Sequence, residues 1–432
     1  MNPMLSIQNE RVPSDAVDHP PAGFAERMVL GLLGRLTRGG LRLEHADGRV
    51  RHFGQPGAPV TACVRLRDDS AFFKRCAYYG NIGMGEAYTD GLWDTDDIAA
   101  VIAWFIDNMN ALQGSDTSSG KLPGVNVLKI FNWFRHLRRE NTIDTSRRNI
   151  AEHYDLGNDF YRLWLDPSMT YSSARFESAT QSLEDAQAGK YDALCTKLKL
   201  GPEDHVLEIG CGWGGFAVHA AKYYGCRVTG VTISEAQAAF ARNRVATEGL
   251  DRIEIRIQDY RHITGTYDKI VSIEMLEAVG DKYHASFFSK CAEILSPNGL
   301  LGIQMITVPD CRYGSLKEGV DWIQRHIFPG SLLLSVGRIN DVLGRTGDLF
   351  MHDLEDLGAD YARTLSAWHE NFKTVRAQVE ALGFDEPFIR TWNYYLKYCE
   401  AGFSSRNISV VQAVYTRPNN PLLHHRFEKG RG

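Results

Sequence analysis

The sequence predicts an α/β protein with a doubly wound sheet, a helical lid insertion and a small α+β domain in front of it. Three observations support this fold class. Apolar runs and helical patterns alternate from residue 204 onward, as they do in a parallel sheet with crossover helices. A glycine-rich loop directly follows the first of these runs. A chain of 432 residues is also too long for one ordinary core, which favours at least two domains.

The overall composition is that of a globular protein without a strong charge bias. Hydrophobic residues make up 44% of the chain and charged residues 23%, and the net charge is −5. This balance gives no support to a nucleic-acid partner, whose phosphates attract basic proteins. The eight cysteines form no CxxC pair or Cys/His cluster, which argues against a zinc site or disulfide framework and favours a reducing cytoplasm. No run of about 18 apolar residues occurs, so we expect no membrane span.

The chain before the large sheet divides into a lead-in and a small α+β domain. Residues 1–23 are polar, contain proline and lack a signal-peptide pattern, which predicts a disordered segment. Residues 24–113 begin with a helical pattern and continue with short strand-like runs around the turn Asp47-Gly48. A later helix follows Asp97 and its acidic neighbours, which predicts a capped first turn.

Residues 114–144 are predicted to form a linker with a basic amphipathic helix. Serine and glycine are frequent in "QGSDTSSGKLPG", which indicates an exposed linker. In "NVLKIFNWFRHLRRENT" apolar residues recur at helical spacing, and basic residues occupy the other sides. Such a helix can lie on an anionic bilayer, with each basic residue contributing on the order of 1 kcal/mol. It can equally pack its apolar stripe on the larger domain, and the sequence leaves both alternatives open.

Residues 145–432 are predicted to form the large domain. Its predicted strands span residues 205–210, 226–233, 253–259, 267–274, 299–308 and 408–418. Helical patterns follow the first strands, and two late helices are predicted near 359–382 and 384–403. The segment 309–343 is an insertion after the fifth strand, and we expect it to cover the ligand crevice as a helical lid.

The stretch "VLEIGCGWGGF" places Gly210, Gly212 and Gly214 between the first strand and its helix. Glycine permits tight turns and close backbone approach, and a helix N-terminus offers free N–H groups to an anion. The ligand crevice of an open parallel sheet lies at this position. Two cofactors compete for such a loop, a dinucleotide and S-adenosylmethionine. Glu208, inside the end of the strand, completes the spacing ExGxGxG.

The end of the second strand distinguishes the two cofactors. A dinucleotide site expects an acidic residue there for the ribose 2′-OH, whereas "GVTISEAQ" offers Thr232, Ser234 and Gln237. Asp259 and Tyr260 close the third strand, where Asp259 can meet an adenine amino group. S-adenosylmethionine is therefore the predicted cofactor. The alternative is that these side chains only form turns and helix caps.

The glycine loop with its acid resembles motif I of class I S-adenosylmethionine-dependent methyltransferases, which implies a Rossmann-like methyltransferase sheet. Further segments extend the resemblance, among them "HYDLGNDFYRLWLDPSMTYSSARF", "IEMLEAVGDKYHASFF", "WIQRHIFPGSLLLS" and "DLEDLGADYARTLSAWHENF". Together they resemble the cyclopropane-fatty-acyl-phospholipid synthase family, to which the mycolic acid cyclopropane synthases are related. The match covers residues 145–418 in the same order. The preceding segment is similar to the small N-terminal domain of the phospholipid-acting members.

The resemblance implies a reaction and a catalytic anion. An unsaturated phospholipid acyl chain would receive a methylene group at its cis double bond, through a carbocation that a bound bicarbonate deprotonates. Glu277 in "EMLEAVG" and Tyr361 in "GADYARTL" match family residues that hold this bicarbonate, and Ile306 matches one that contributes its backbone. Considered alone, the three residues also fit ordinary roles in a helix cap, a core and a strand.

Two positions depart from the best-known members of that family. Ser173 replaces a cysteine in "TYSS", and Gln304 replaces a histidine that follows the fifth strand. Both offer neutral hydrogen-bonding groups to an anion, so they remain candidate catalytic residues, but neither has the tunable proton of histidine. Tyr171 and Ser172 in the same motif are expected to contact the carboxylate or sulfonium side of the cofactor.

The resemblance places the enzyme in the cytoplasm, peripherally at the inner membrane surface, with a phospholipid acyl chain as its partner. It is also compatible with a homodimer. Aromatic residues that would wall an acyl channel, or only fill the core, are Trp322, Phe328, Trp368, Tyr394, Tyr395 and Tyr398. Three alternatives stay open: methyl- or methylene-branching of the same kind of chain, N-methylation of a small molecule, and non-catalytic lipid binding.

Overall fold

The computed structural model describes residues 23–109 and 156–423, which contain two β-sheets. The strands are β1 (Gly40–Glu44), β2 (Val50–Gly54), β3 (Ala62–Leu66), β4 (Trp93–Asp94), β5 (His205–Ile209), β6 (Arg227–Thr232), β7 (Ile253–Ile257), β8 (Tyr267–Ile273), β9 (Leu295–Thr307), β10 (Phe350–Asp356) and β11 (Ser409–Thr416). The predicted lead-in up to residue 22 and the predicted linker with its basic helix lie outside the described residues.

Fourteen α-helices accompany these strands in the described part of the chain. They are α1 (Phe24–Leu33), α2 (Asp69–Thr89), α3 (Ile98–Asp107), α4 (Asn158–Trp164), α5 (Leu183–Lys197), α6 (Gly215–Tyr224), α7 (Glu235–Thr247), α8 (Asp281–Ile294), α9 (Asp310–Glu318), α10 (Trp322–His326), α11 (Val336–Thr346), α12 (Gly358–Thr374), α13 (Arg376–Ala381) and α14 (Glu386–Ser404). Among them, α9, α10 and α11 form most of the insertion that the sequence predicts as a lid.

The large sheet has seven strands in the order β10-β11-β9-β8-β5-β6-β7. Strands β7, β6, β5, β8 and β9 run parallel, and β11 is antiparallel to both of its neighbours. This arrangement confirms the predicted doubly wound α/β sheet. The strand order reverses at β5, because β6 lies on one side of it and β8 on the other. The carboxyl end of β5 is therefore the switch point at which such sheets bind ligands.

Two parts of the large sheet differ from the sequence prediction. Strand β10 was not predicted, because most of its side chains are exposed and it shows little apolar periodicity. It is an edge strand held by its antiparallel pairing with β11, from Phe350 opposite Thr416 to Asp356 opposite Val411. The predicted helix 359–382 is also divided in two, since Val375 has φ −102° and ψ 15° between α12 and α13.

The small sheet has the order β2-β1-β3-β4, and β1 and β2 form the predicted hairpin. The predicted cap of the following helix is also present. Asp97 precedes α3, and its carboxylate accepts a hydrogen bond of 3.0 Å from the backbone N–H of Ala100. Its neighbour Asp96 instead accepts two hydrogen bonds, of 2.6 and 2.8 Å, from the guanidinium of Arg65.

The two sheets are connected by one hydrophobic cluster. In it the ring of Tyr88 contacts both Trp93 of the small sheet and Tyr394 of the large domain, and Tyr394 in turn contacts Trp322. Helix α14 lies against α2 and α3. Arg390 on α14 donates hydrogen bonds of 2.6 Å to the carbonyl of Tyr88 and 2.8 Å to that of Trp93. The N-terminal unit is therefore packed firmly onto the late helices.

No helix within the described residues combines the length and apolar character needed to cross a membrane.

Replacing Gly85 by alanine tests the contact between the two units. A Cβ atom there would lie 2.5 Å from Trp322 Cδ1 and 2.8 Å from Tyr394 Cε1, both on buried rings. We expect this overpacking to lower the free energy of unfolding by about 1–3 kcal/mol, measured by urea denaturation. Gly31 is the matched control, because a Cβ in helix α1 meets no atom within 4 Å. Its change to alanine should raise stability by about 0.5–1 kcal/mol. A Gly85 variant as stable as the original chain would contradict this packing.

Candidate active site

A cavity of about 960 Å³ lies beyond the carboxyl ends of the parallel strands. One end is lined by the glycine loop after β5, and the other by apolar side chains of α1, α2 and α3. The insertion 309–343 forms part of the wall through residues such as Leu316, Ile323 and Phe328. The N-terminal unit and the lid therefore enclose the same space as the sheet.

The glycine loop adopts backbone angles that favour glycine. Gly210 and Gly212 have φ values of 83° and 51°, and Gly214, with φ 82°, is the N-cap of α6. A Cβ on Gly210 would lie 2.8 Å from Cγ of Met275, whereas a Cβ on Gly212 would meet no atom within 4 Å. The open space above Gly212 belongs to the cavity. This geometry fits a ligand that approaches the backbone closely, as the sequence predicts.

Glu208 supplies a buried carboxylate beside the glycine loop. It is 3% exposed and lines the cavity, and its Oε2 has no hydrogen-bond partner among the described residues. Burial raises the pKa of Glu208 well above its usual value. A buried carboxylate oxygen without a donor is costly, so the site favours a ligand that brings donors or a positive charge. S-adenosylmethionine carries hydrogen-bond donors and a positive charge. Glu208 therefore fits the predicted cofactor.

The predicted residues at the end of β6 divide into two groups. Thr232 and Gln237 line the cavity, and the Thr232 hydroxyl donates a 2.9 Å hydrogen bond to Gln237 Oε1. Ser234 is instead the N-cap of α7, where its Oγ accepts a hydrogen bond from the backbone N–H of Gln237. Ser234 therefore caps a helix in the structure, which is the alternative role that the sequence left open for it.

Asp259 and Tyr260 line the cavity at the end of β7, as predicted. Both carboxylate oxygens of Asp259 accept hydrogen bonds from the guanidinium of Arg261, at 2.9 and 2.7 Å. Burial alone would raise the pKa of Asp259, but the hydrogen bonds and charge of Arg261 outweigh it and lower that pKa. The expected contact with an adenine amino group therefore competes with an existing ion pair.

Tyr171 and Ser172 reach the cavity next to a lysine, Lys190, that was not predicted from the sequence. The Tyr171 hydroxyl lies 2.8 Å from that of Tyr395, and Ser172 Oγ accepts a 2.6 Å hydrogen bond from Lys190 Nζ. Lys190 is fully buried in α5, and burial lowers its pKa to about 7. A single lysine in an otherwise ordinary helical pattern gives no signal in the sequence.

The apolar end of the cavity is larger than predicted from the sequence, because the N-terminal helices contribute to it. Its lining includes Leu32, Leu33, Leu36, Phe72, Met84, Ile102, Phe105 and Ile106. Of the predicted aromatic residues, Phe328, Tyr394, Tyr395 and Tyr398 line the cavity. Trp322 and Trp368 are 1% and 0% exposed. These two residues therefore fill the core and do not wall the channel.

The predicted catalytic residues meet around a residue that was not predicted, Glu274. Its Oε1 accepts hydrogen bonds from the backbone N–H of Ser173 at 2.8 Å and from Gln304 Nε2 at 2.7 Å. Its Oε2 accepts a 2.8 Å hydrogen bond from the Tyr361 hydroxyl. The expectation that Tyr361 donates to a bicarbonate is corrected here, because this hydroxyl donates to a protein carboxylate. The available signal was an acidic residue directly after β8, at the ligand edge of the sheet.

Glu277 lies next to this cluster and is nearly buried, at 8% exposure. Its Oε1 accepts a 2.5 Å hydrogen bond from the backbone N–H of Ile306, and its Oε2 has no partner among the described residues. Burial, followed by the negative charge of Glu274, raises the pKa of Glu277 to about 8. A negative charge on Glu274 therefore disfavours ionisation of Glu277.

Comparisons with known proteins agree with this architecture. A model of the mycolic acid cyclopropane synthetase family matches residues 141–413. The chain is 35% identical to the tuberculostearic acid methyltransferase UfaA1 of Mycobacterium tuberculosis, with 97% of this chain and 98% of that protein covered. It is 36% identical to the cyclopropane-fatty-acyl-phospholipid synthase of Escherichia coli K12, with 82% and 88% covered.

A solved structure extends the comparison to three dimensions. The mycolic acid cyclopropane synthase CmaA1, complexed with SAH and CTAB, matches 63% of this chain and 98% of its own, with a TM-score of 0.58 and 30% identity. The match in sequence and fold confirms the resemblance predicted from the motifs. The chain belongs to the mycolic acid cyclopropane synthetase family and is an S-adenosylmethionine-dependent transferase.

Proposed function

We propose that the protein transfers a methylene group from S-adenosylmethionine to the cis double bond of an unsaturated phospholipid acyl chain, forming a cyclopropane ring. One observation carries this proposal. A single cavity joins the glycine loop and the unpartnered carboxylate of Glu208 to a long apolar wall built from α1, α2 and α3. A polar cofactor and a hydrocarbon chain would therefore meet inside one cavity.

The polar end has the residues to hold the cofactor. Glu208, Gly210, Gly212, Thr232 and Gln237 would surround it, with Tyr171 and Ser172 on the opposite side. When bound, S-adenosylmethionine supplies an electrophilic methyl group. The chain itself must then align the acceptor, since an alkene is a weak nucleophile and orientation contributes much of the acceleration.

The apolar end has the surface to hold an acyl chain. Each methylene group removed from water there contributes about 0.8 kcal/mol to binding. The rings of Tyr395 and Tyr361 also line the cavity, and their electron-rich faces can stabilise a developing cation. Water excluded from this part of the cavity cannot capture that cation. The expected bicarbonate is not included in the proposed mechanism, because its expected donors already hold Glu274 and Glu277.

The proposed substrate lies in a membrane. We therefore expect the protein to be cytoplasmic and to bind peripherally at the inner membrane surface. Helix α1 supports that position. Phe24 is 74% exposed and Leu32 is 38% exposed, and Leu32 also lines the cavity. An acyl chain leaving a bilayer would therefore meet exposed apolar side chains beside the apolar end of the cavity.

Methyl- or methylene-branching of an acyl chain is the second candidate. The observation in its favour is the match over 97% of the chain to a protein named a tuberculostearic acid methyltransferase. The two reactions share the first bond-forming step and differ in which proton the cation then loses. N-methylation of a small amine would not need the apolar wall formed by the N-terminal unit.

Isotope labelling in an expressing host separates these candidates. The host should lack cyclopropane fatty acids and receive methionine with a fully deuterated methyl group. We expect acyl chains heavier by one carbon that retain two deuterium atoms, with ring protons visible by NMR. Two deuterium atoms with olefinic methylene signals would indicate methylene branching, and three would indicate an intact methyl group. Unchanged lipids would overturn the proposed substrate class.

A further inference from the structure

The carboxylate of Glu274 occupies the place at which the resemblance predicts a bicarbonate ion. Two expected donors of the bicarbonate site, Gln304 Nε2 and the Tyr361 hydroxyl, donate hydrogen bonds of 2.7 and 2.8 Å to Glu274. The third donor is the backbone N–H of Ser173, at 2.8 Å, whereas the Ser173 hydroxyl, which was the expected group, donates to the carbonyl of Ala174. The fourth, the backbone N–H of Ile306, donates to Glu277. Bicarbonate therefore does not fit, because the donors that would bind it are already used by the protein.

We propose that Glu274 is the proton acceptor of the reaction and that this enzyme works without bicarbonate. The inference rests on the proposed function, since a proton must leave the cationic acyl chain before the product can form. Glu274 is then a catalytic residue in addition to those that the family resemblance implies.

The backbone at Glu274 supports a specific role for this side chain. Its φ is 49°, in the left-handed region where residues other than glycine are uncommon. This conformation is unfavourable for a residue with a Cβ atom. The backbone N–H of Glu274 is fixed by a 2.8 Å hydrogen bond to the carbonyl of Gln304. Strain of this kind persists at functional sites where the surroundings hold it in place.

The Glu274 carboxylate has one free acceptor position that could take a proton. A carboxylate has about four acceptor positions, two on each oxygen. Oε1 of Glu274 accepts two donors and Oε2 accepts one, so Oε2 keeps one free position. Glu274 and Glu277 both line the cavity, and Glu277 accepts one hydrogen bond, from the backbone N–H of Ile306. Of the two carboxylates, Glu274 is the one that three donors hold in a fixed position at the cavity.

The charges around Glu274 suit a proton acceptor. Burial raises its pKa, and the ammonium of Lys190 and the three hydrogen-bond donors partly oppose that rise. These donors stabilise the ionised form of Glu274, whereas Glu277 accepts only the backbone N–H of Ile306 on Oε1 and has no partner on Oε2 among the described residues. The hydrogen bonds therefore favour a negative charge on Glu274 rather than on Glu277.

The proposed step is a single proton transfer. After the alkene has bonded to the new carbon, a C–H bond of the cationic chain breaks, and its proton passes to Oε2 of Glu274. The electron pair of that bond becomes the closing C–C bond of the ring, or a C=C bond in a branched product. The carboxylate becomes a neutral carboxylic acid, and it returns its proton to water once the product has left. No oxidant or further reactant is needed.

Bicarbonate depletion of the purified full-length chain tests the proposal. Vesicles of a phosphatidylglycerol with palmitoleoyl chains serve as substrate, and buffers are freed of carbon dioxide. We expect the rate of the unaltered protein to stay the same with and without added bicarbonate. Glu274→Gln should lower the rate by about 10³-fold, within the range for lost general-base catalysis, and bicarbonate should not restore it. A rate that requires bicarbonate, or a Glu274→Gln variant with more than a tenth of the original rate, would overturn the proposal.

A second variant gives a readout that does not depend on activity. Glu274→Ala leaves a space bordered by the same donors, and we expect ¹³C-labelled bicarbonate to bind there by NMR and to restore part of the rate. The unaltered protein should show no such binding. Binding of S-adenosylhomocysteine, measured by calorimetry, should be equal in all three proteins, which excludes misfolding. Bicarbonate bound by the unaltered protein would contradict the role of Glu274, whereas lipids left unmodified by that protein would contradict the proposed substrate instead.

Discussion

Replacing Gly212 by alanine is expected to weaken the binding of S-adenosylhomocysteine by at least about tenfold, which corresponds to about 1.4 kcal/mol. Gly212 has φ 51°, and a Cβ atom built on it would enter open space in the cavity rather than a protein contact. The added methyl group would therefore occupy volume that the cofactor needs. Isothermal titration calorimetry of the purified chain measures the effect directly.

Gly249 is the matched control for this substitution. It also has a positive φ, 65°, and a Cβ atom there likewise meets nothing within 4 Å, but it follows α7 and does not line the cavity. Both alanine variants should lose about 1–2 kcal/mol of stability from the left-handed backbone. Only the Gly212 variant should lose cofactor affinity. An equal loss of affinity in both variants would show that backbone strain, and not the volume above Gly212, determines binding.

The parts of the fold that the sequence predicted correctly are those with strong local signals. Strands β5, β6 and β8 are buried apolar runs, and the glycine loop follows β5 directly in the chain. Strand β10 has no comparable signal, since its exposed edge position requires little apolar periodicity. Its place in the sheet depends on pairing with β11, which is distant in the sequence.

The candidate site was predicted in part, because its members come from distant segments. The sequence identified Ser173, Gln304 and Tyr361 as groups that bind an anion. Their common partner, Glu274, is separated from them by 101, 30 and 87 residues, so no local pattern connects the four. The same limit applies to Lys190, whose burial depends on how α5 packs against the sheet.

Two predicted cofactor-binding residues, Asp259 and Ser234, already bind neighbouring groups of the protein. Asp259 was predicted from its position at the end of β7, which is correct, but its oxygens are already bound by Arg261, two residues further along. Ser234 is likewise placed correctly after β6, and there it caps α7. A residue at the ligand edge of a sheet can also serve the adjacent turn or helix, and sequence position alone does not separate the two roles.

Tyr361→Phe is expected to lower kcat by about 10²-fold at neutral pH and below, with a smaller loss at higher pH. The hydroxyl of Tyr361 donates a 2.8 Å hydrogen bond to Oε2 of Glu274, and a hydrogen bond to the ionised form lowers the pKa of a carboxyl group. Without this donor the pKa of Glu274 rises. The acid limb of the kcat–pH profile should then move to higher pH, because a protonated Glu274 cannot accept another proton.

Tyr415→Phe is the matched control for the loss of a buried hydroxyl. Tyr415 is fully buried in β11, and its hydroxyl has no hydrogen-bond partner among the described residues. We expect this variant to keep the original kcat and pH profile. The ring of Tyr361 packs on Phe403 with centroids 4.4 Å apart, so phenylalanine should keep its position and leave S-adenosylhomocysteine binding unchanged. A Tyr361→Phe profile that is lower at all pH values but not shifted would mean that the hydroxyl acts on the substrate rather than through Glu274.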